Sequence, residues 1–505
     1  MINANNQIKI GAVISYLGVL FGIVTGLIYN PWMIKTIGDS DYGLYTLAMS
    51  LINTFLFDFG LSMATERFVS LYLAKNDQPA VDNIIGLIFK IYLVITVVLV
   101  VVFVGLYFLL EKIYIQLTAA ELERFKVIYI IAATYSVITF PFVTLNGILS
   151  SYEKFISLKI CDLLHKVLTV ALIAIALLMG QGVYILVFVN LVVSILITAI
   201  RLLIIRTTTP VKVNLRYHDQ TLVKSIFSMS LWTSISSMAM RLLLTIGPSI
   251  LGIVSGSVEI AIFGYAVSIE GYVYTFVNAI NGFFMPKLSR ISTEQDENGA
   301  DEVLDLMIKV GRFIMLLFGL IFTGFIILGQ EFISLLLGEQ YANSYYCVIL
   351  ICAYGVIAYP QQIANTYTLV RNKVRKKAII SLVSMTLYVV CAFLLGKALG
   401  AVGVSIAICI SLFTQTILMN VVYYKDLKIN VLKFFKNCQL KMLPGYVVYA
   451  LICFFISKIP VHGWVGFLIK VISMCVLYVF VSWVLILTKS EKLYLINRIK
   501  RKEEK

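Results

Sequence analysis

Residues 226–254 read IFSMSLWTSISSMAMRLLLTIGPSILGIV, and residues 259–285 read EIAIFGYAVSIEGYVYTFVNAINGFFM. Both runs exceed the length of apolar chain that crosses a bilayer, so Lys224 to Arg290 reads as two membrane helices joined by a short turn near Gly256. Arg241 lies roughly fifteen residues before that turn and Glu270 roughly fourteen after it, which at about 1.5 Å per residue puts both ~22 Å from the turn. A lone charge at that depth costs a few kcal/mol or more, so each needs a partner or a wet cavity. Ser230, Ser234, Ser237, Arg241 and Thr245 recur at helical spacing and form one polar stripe. Glu270, Tyr274, Asn278 and Asn281 form another. Two readings stand: a neutralised structural ion pair, or a water-filled path with a cation at mid-depth. The second also accounts for the other polar residues on the same two faces.

The rest of the chain agrees with a membrane setting. It is 60% hydrophobic and 13% charged, with a mean hydropathy of +0.94, outside the range of a soluble globular protein. Its apolar runs are too long for the short alternating strands of a β-barrel. The expected class is an all-α polytopic membrane protein with about fourteen transmembrane helices. The spans are 10–34, 43–72, 84–110, 126–150, 157–179, 183–205, 226–254, 259–285, 303–328, 344–370, 378–399, 402–424, 442–459 and 465–487. No cleavable signal peptide is read at the N-terminus, so the first helix is expected to be retained.

The net charge of +15 would suggest nucleic acid in a soluble chain. Here its placement explains it. With the N-terminus inside, the inner segments hold about thirty of the 41 basic residues, which puts both termini in the cytoplasm. The excess also favours anionic membrane lipid. The eight cysteines fall mostly in apolar helices and read as small core residues, and the three histidines are scattered without ligand spacing. No cofactor and no metal are expected. Nothing matches a phosphate loop or a catalytic triad, and the outer loops are too short for a catalytic domain, so the chain is not read as an enzyme.

Landmarks recur in order. Pro141, Asn146 and Lys154 answer Pro360, Asn365 and Lys373; 360−141, 365−146 and 373−154 all give 219. Pro31 answers Pro248, and Gly38 answers Gly256. Gly182-Val183-x-Ile185 answers Gly403-Val404-x-Ile406. Six spans per repeat is an even number, so the halves enter the membrane alike and form two parallel six-helix repeats. The expected divisions are 1–210 and 211–430 for the two lobes, and 431–505 for two extra helices with a basic tail.

Span two carries a polar row four residues apart: Thr46, Ser50, Thr54, Asp58, Ser62 and Glu66. It is read as one helical ridge, with Asp58 in the hydrocarbon and Glu66 and Arg67 near the inner face. Span one carries Gly11, Ser15, Gly18, Gly22 and Gly26 for close packing, and Asn30-Pro31 is expected to end it early as a hinge. Pro141, Pro248 and Pro360 are the other hinge candidates. Gln361, Gln362 and Asn365 follow Pro360 and suit either its freed carbonyl or a ligand. In span five, Asp162 and Lys166 are spaced to pair with each other. Spans three and six look nearly featureless and are expected to face lipid.

The run YNPWMIKTIGDSDYGLYTLAMSLINTFLFDFGLSMATERFVSLYLA (29–74) resembles the start of Wzx-like oligosaccharide and polysaccharide flippases. These belong to the MOP superfamily, which also holds MurJ-like lipid II flippases and MATE exporters. Gly38 to Tyr45 (GDSDYGLY) and Asp58 to Leu61 (DFGL) carry most of the likeness. The resemblance implies a bacterial inner-membrane flippase for undecaprenyl-diphosphate-linked oligosaccharide, working by alternating access. It also implies work beside a polysaccharide polymerase and other assembly proteins. Arg241 then suits a cavity cation and Arg67 a second one, with Asn278, Gln361 and Asn365 on the substrate path. Glu270, Asp58 and Glu66 are the candidates for a coupling cation, Na⁺ or H⁺, or for charge partners. Span one lacks the arginine of MurJ-like proteins, which argues against lipid II. The alternative is a MATE-like cation-coupled multidrug exporter, which would want an acidic cavity.

Overall fold

The structure, a computed structural model, describes residues 4–493 apart from 57, 279–283, 285–287, 289–290, 292–298, 372 and 462. Among the described residues the regular structure is helical throughout. The first eleven helices are α1 (Ala4–Ile37), α2 (Asp39–Phe55), α3 (Leu61–Ala74), α4 (Gln78–Ile113), α5 (Ala119–Thr139), α6 (Thr144–Ser151), α7 (Phe155–Leu178), α8 (Tyr184–Thr208), α9 (Gln220–Thr245), α10 (Gly247–Val254) and α11 (Ser257–Asn278). A 39-residue helix, α12 (Gly299–Leu337), follows, and further helical elements run to residue 493.

Among the described residues, eleven helices are long and apolar enough to cross a membrane, or twelve if the bent pair Leu231–Thr245 and Gly247–Val254 counts as one span. Fourteen are not reached by that measure, for two physical reasons. Span two is split between α2 and α3, so neither piece is long. The expected spans 378–399 and 402–424 run as one element, Val374–Lys425, interrupted at Gly400 with φ 57°. Glu259 accepts the Ala401 backbone N–H at 2.6 Å just past that break.

Contacts group the chain into two compact units, residues 1–265 with 385–404, and residues 266–384 with 405–505. In most candidate spans only a minority of residues in the apolar stretch is buried, as in lipid-facing helices; in Ile10–Ile37 the share is 17%. In Ser257–Val277 and Glu339–Val370 the share rises to 61%, and these carry Glu270 and Pro360.

The GDSDYGLY segment is a packed turn inside the first unit. Gly38 takes φ +88°, a conformation that suits glycine, and ends α1. Pro31 does not end α1, contrary to the expectation; the helix runs through it to Ile37. One missing backbone donor is tolerable where neighbouring helices enclose the chain. Ser40 donates to Glu121 Oε1 at 2.6 Å, and Ser257 donates to the same oxygen. Arg124 pairs with Asp41 at 3.2 Å. Glu121 also closes a capping box with Thr118 at the start of α5. One carboxylate thus joins three turns. At Gly43 an added Cβ would run into the Ser257 carbonyl. Gly43→Ala is therefore expected to cost about 1–3 kcal/mol, read as a lower melting temperature of the detergent-solubilised protein. Unchanged melting would show that this turn has room to move.

Candidate functional site

In the first unit the polar faces of α2 and α9–α10 meet. Gly247-Pro248 bends the second of these by 43°. At that bend Ser50 donates its hydroxyl to the Thr245 carbonyl, and it lies 3.4 Å from the Ser249 hydroxyl. Thr54 lies 3.4 Å from the Thr245 hydroxyl. One turn deeper, Arg241 donates Nε to the Asn53 carbonyl at 3.0 Å and Nη2 to Asn53 Oδ1 at 3.4 Å. The guanidinium is half-buried. Its hydrogen-bond partner is thus a neutral residue, while the Asp58 carboxylate of the same unit lies close enough to act on its charge. The expected stripe is partly realised: Ser234 is buried and Ser237 exposed, while the side chains of Ser230 and Asn278, and all of Asn281, lie outside the described residues.

Asp58 does not sit on a continuous ridge. The chain leaves helical form between Phe55 and Leu61, with φ 51° at Phe59 and 71° at Gly60. Asp58 caps the restart, accepting from the Ser62 backbone N–H at 3.2 Å and the Ser62 hydroxyl at 3.3 Å. The Tyr92 hydroxyl donates to the same carboxylate. Tyr92, Thr96, Leu99 and Phe103 form a buried face of α4, so span three is not featureless. Beyond the break Glu66 is exposed and accepts from Ser150 at 2.8 Å, and Arg67 is exposed.

In the second unit Glu270 is 5% exposed. Its Oε1 accepts from the Tyr359 hydroxyl at 2.9 Å and from the Tyr354 hydroxyl at 3.4 Å. Phe318 and Tyr274 pack on the Tyr359 ring. Sequence reasoning did not find these tyrosines, although the adjacent Tyr359-Pro360 placed one of them at the expected break. Pro360 lies in a tight 3₁₀ turn, Tyr359–Gln361, and Pro141 lies in another, Phe140–Val143, as the repeat requires. Gln361 is buried and donates to Asn420 at 2.8 Å; Asn365 is half-buried and donates to Gln362 at 3.2 Å. These amides are thus already engaged with each other and with Asn420.

A family model described as "Polysaccharide biosynthesis protein" matches residues 9–292, more than half of the chain. The chain belongs to the polysaccharide biosynthesis protein family. Solved structures agree on the fold of this family member. The lipid II flippase MurJ in its inward closed conformation superposes with a TM-score of 0.73 at 12% identity, covering 94% of this chain and 97% of that one. An inward-facing multidrug resistance MATE family transporter gives 0.67 at 16% identity, covering 85% and 99%. A MOP superfamily transporter from Pyrococcus furiosus, reported with a binding pocket of reverse polarity, gives 0.51 at 14%, covering 84% and 96%. None of the curated proteins matches the chain by sequence. The family member is thus a multi-pass membrane protein with the MOP flippase and transporter fold.

Proposed function

We propose that the protein is a flippase for undecaprenyl-diphosphate-linked oligosaccharide units, moving them across the bacterial cytoplasmic membrane by alternating access during surface polysaccharide assembly of the O-antigen or capsule type. The observation that carries this reading is Arg241, a guanidinium deep in an apolar span, held in place by the neutral Asn53. Asn53 orients the planar fork, and the nearby Asp58 carboxylate offsets part of its charge until a diphosphate takes its place. A diphosphate with about two negative charges is a natural counterpart, because Arg binds phosphate oxygens through paired charge-assisted bonds.

The remaining roles follow from that centre. Residues 1–210 and 211–430 form the two lobes, and the last two helices lie outside the repeat with a cytoplasmic tail. Both termini face the cytoplasm. Arg67 is a second cation on the inner side, while Asn278 and Asn365 meet the glycan and Gln361 braces the Pro360 turn. Glu270 between its two phenols, or Asp58, takes the coupling cation. Glu66 is a charge partner of the inner end. The bends at Pro141, Pro248 and Pro360 flex during the cycle. An inside-negative potential assists outward movement of the anion by about 2.3 kcal/mol per charge per 100 mV. A polymerase of the same assembly receives the product.

Glu270 also supports a second reading, a cation-coupled exporter of drug cations, since a buried carboxylate is what such a pump needs. Reconstituted vesicles separate the two. The flippase reading expects lipid-linked oligosaccharide to cross and ethidium to stay. Ethidium export without movement of the lipid-linked sugar would replace it.

A further inference from the structure

The first unit holds a cavity whose lining does not include Arg241. It measures about 500 Å³ and lies among α1, α5 with its 3₁₀ turn, α7 and α8. That is within the range of ligand pockets. Its wall carries Lys159, Lys166 and Arg201 against a single carboxylate, Asp162, with His165 alongside. The spacing of Asp162 and Lys166 suggested that they pair, but they do not. Asp162 takes Arg201 at 2.6 Å and Lys159 at 3.2 Å. Lys166 instead reaches the Gly18 carbonyl at 3.2 Å. His165 is 3.0 Å from the Ser194 hydroxyl. One carboxylate among three cations leaves a formal excess of two positive charges on the wall.

Two orphaned atoms mark the same place. Arg201 Nε, a donor, and Asn146 Oδ1, an acceptor, are buried without a hydrogen-bond partner. Both residues line the cavity. Unsatisfied buried groups of this kind are uncommon and point to a missing partner. The cavity is also flanked by two apolar clefts. One, of about 180 Å³, runs between α5 and α8 and shares Thr139, Phe142 and Thr198 with it. The other, of about 200 Å³, runs between α1 and α7 and shares His165 and Lys166. The first reaches the outer surface of the bundle, where Ile138, Ile195 and Leu202 are exposed.

This charge is not a requirement of the fold. At the repeat offset of 219, Lys159, Asp162, His165 and Lys166 answer Ala378, Ser381, Ser384 and Met385. At the offset of 221 that relates span six to span twelve, Arg201 answers Val422. The second repeat carries no charge at these positions.

We propose that this cavity is a binding site for the phosphate headgroup of an anionic lipid, with its hydrocarbon chains in the two flanking clefts. Lys159, Lys166 and Arg201 hold the phosphate oxygens. Asn146 Oδ1 accepts from a headgroup hydroxyl, which a phosphoglycerol carries. The site is separate from Arg241 and does not depend on the role given to that residue.

The test uses the full-length purified protein in detergent. Phosphatidylglycerol is expected to raise its melting temperature, and one such lipid should stay bound in native mass spectrometry. Phosphatidylcholine should do neither. Lys166→Gln and Lys159→Gln, which leave the Asp162–Arg201 pair in place, should each raise the half-maximal phosphatidylglycerol concentration about tenfold, the loss expected for one charge-assisted bond. Equal protection by phosphatidylcholine, or an unchanged response in both variants, would overturn the site. Equal protection by inorganic phosphate at the same concentration would overturn the lipid assignment.

Discussion

Arg241→Ala is expected to abolish translocation of lipid-linked oligosaccharide, and Arg241→Lys to retain part of it. The alanine variant loses the charge and both arms of the fork. Paired charge-assisted bonds to phosphate are worth about 3 kcal/mol together, on the order of a hundredfold in rate. The lysine variant keeps a point charge but cannot span two oxygens, so a loss of about tenfold is expected. Initial rates in proteoliposomes measure both. Full activity of the alanine variant would remove Arg241 from the mechanism, and loss of folding is excluded by an unchanged melting temperature.

Arg312→Ala should produce the largest loss of stability. Arg312 is 4% exposed. Its Nε and Nη2 hold the two oxygens of Glu491 at 2.6 and 2.9 Å, Nη2 also reaches the Ile486 carbonyl at 2.7 Å, and Nη1 the Asn437 carbonyl at 3.3 Å. One side chain of α12 thereby fastens the last helices of the second unit. Breaking a fully buried pair costs about 3–5 kcal/mol; Glu491 is part-exposed and keeps its bonds from Thr488, so about 3 kcal/mol is expected. The double variant Arg312→Met/Glu491→Met should recover most of that, since apolar packing removes both desolvation costs. Thermal melts read the difference. An alanine variant that melts like the wild type would show that the clamp contributes little.

The same pair has a pH signature. Burial pushes the Glu491 carboxyl up, but the bonds from Arg312 and from Thr488 outweigh it and hold it below its ordinary range. A depressed carboxylate stabilises fully above the unfolded value of about 4.3. That contribution is lost as the pH falls through the folded value.

What the sequence made legible was what depends on local chemistry. Gly256, with φ +125°, turns the chain where the apolar runs part. Pro141 and Pro360 each tighten their helix at matching places, because a proline acts on its own turn. The hidden features are those set by distant partners. Asp58 fell on a regular four-residue polar row, and only the Phe59-Gly60 turn shows that the row is two helices. Tyr92, Tyr354 and Tyr359 are apolar enough to pass as core until their hydroxyls are seen on carboxylates. Nothing in the sequence around Arg201 shows that α8 turns it onto Asp162. Pro31 had the wrong consequence assigned, since Gly38 and not the proline stops α1.

The central claim is that water and an anionic headgroup visit Arg241. Ser237→Cys, one turn from Arg241 on the same polar stripe and with Arg241 kept, tests it directly in a background lacking the eight native cysteines, with a charged methanethiosulfonate as the probe. The account predicts that the thiol reacts in membranes and that a prenyl diphosphate slows the reaction, while the corresponding uncharged prenol does not. A thiol that never reacts, or one that prenol and prenyl diphosphate protect equally, would contradict it.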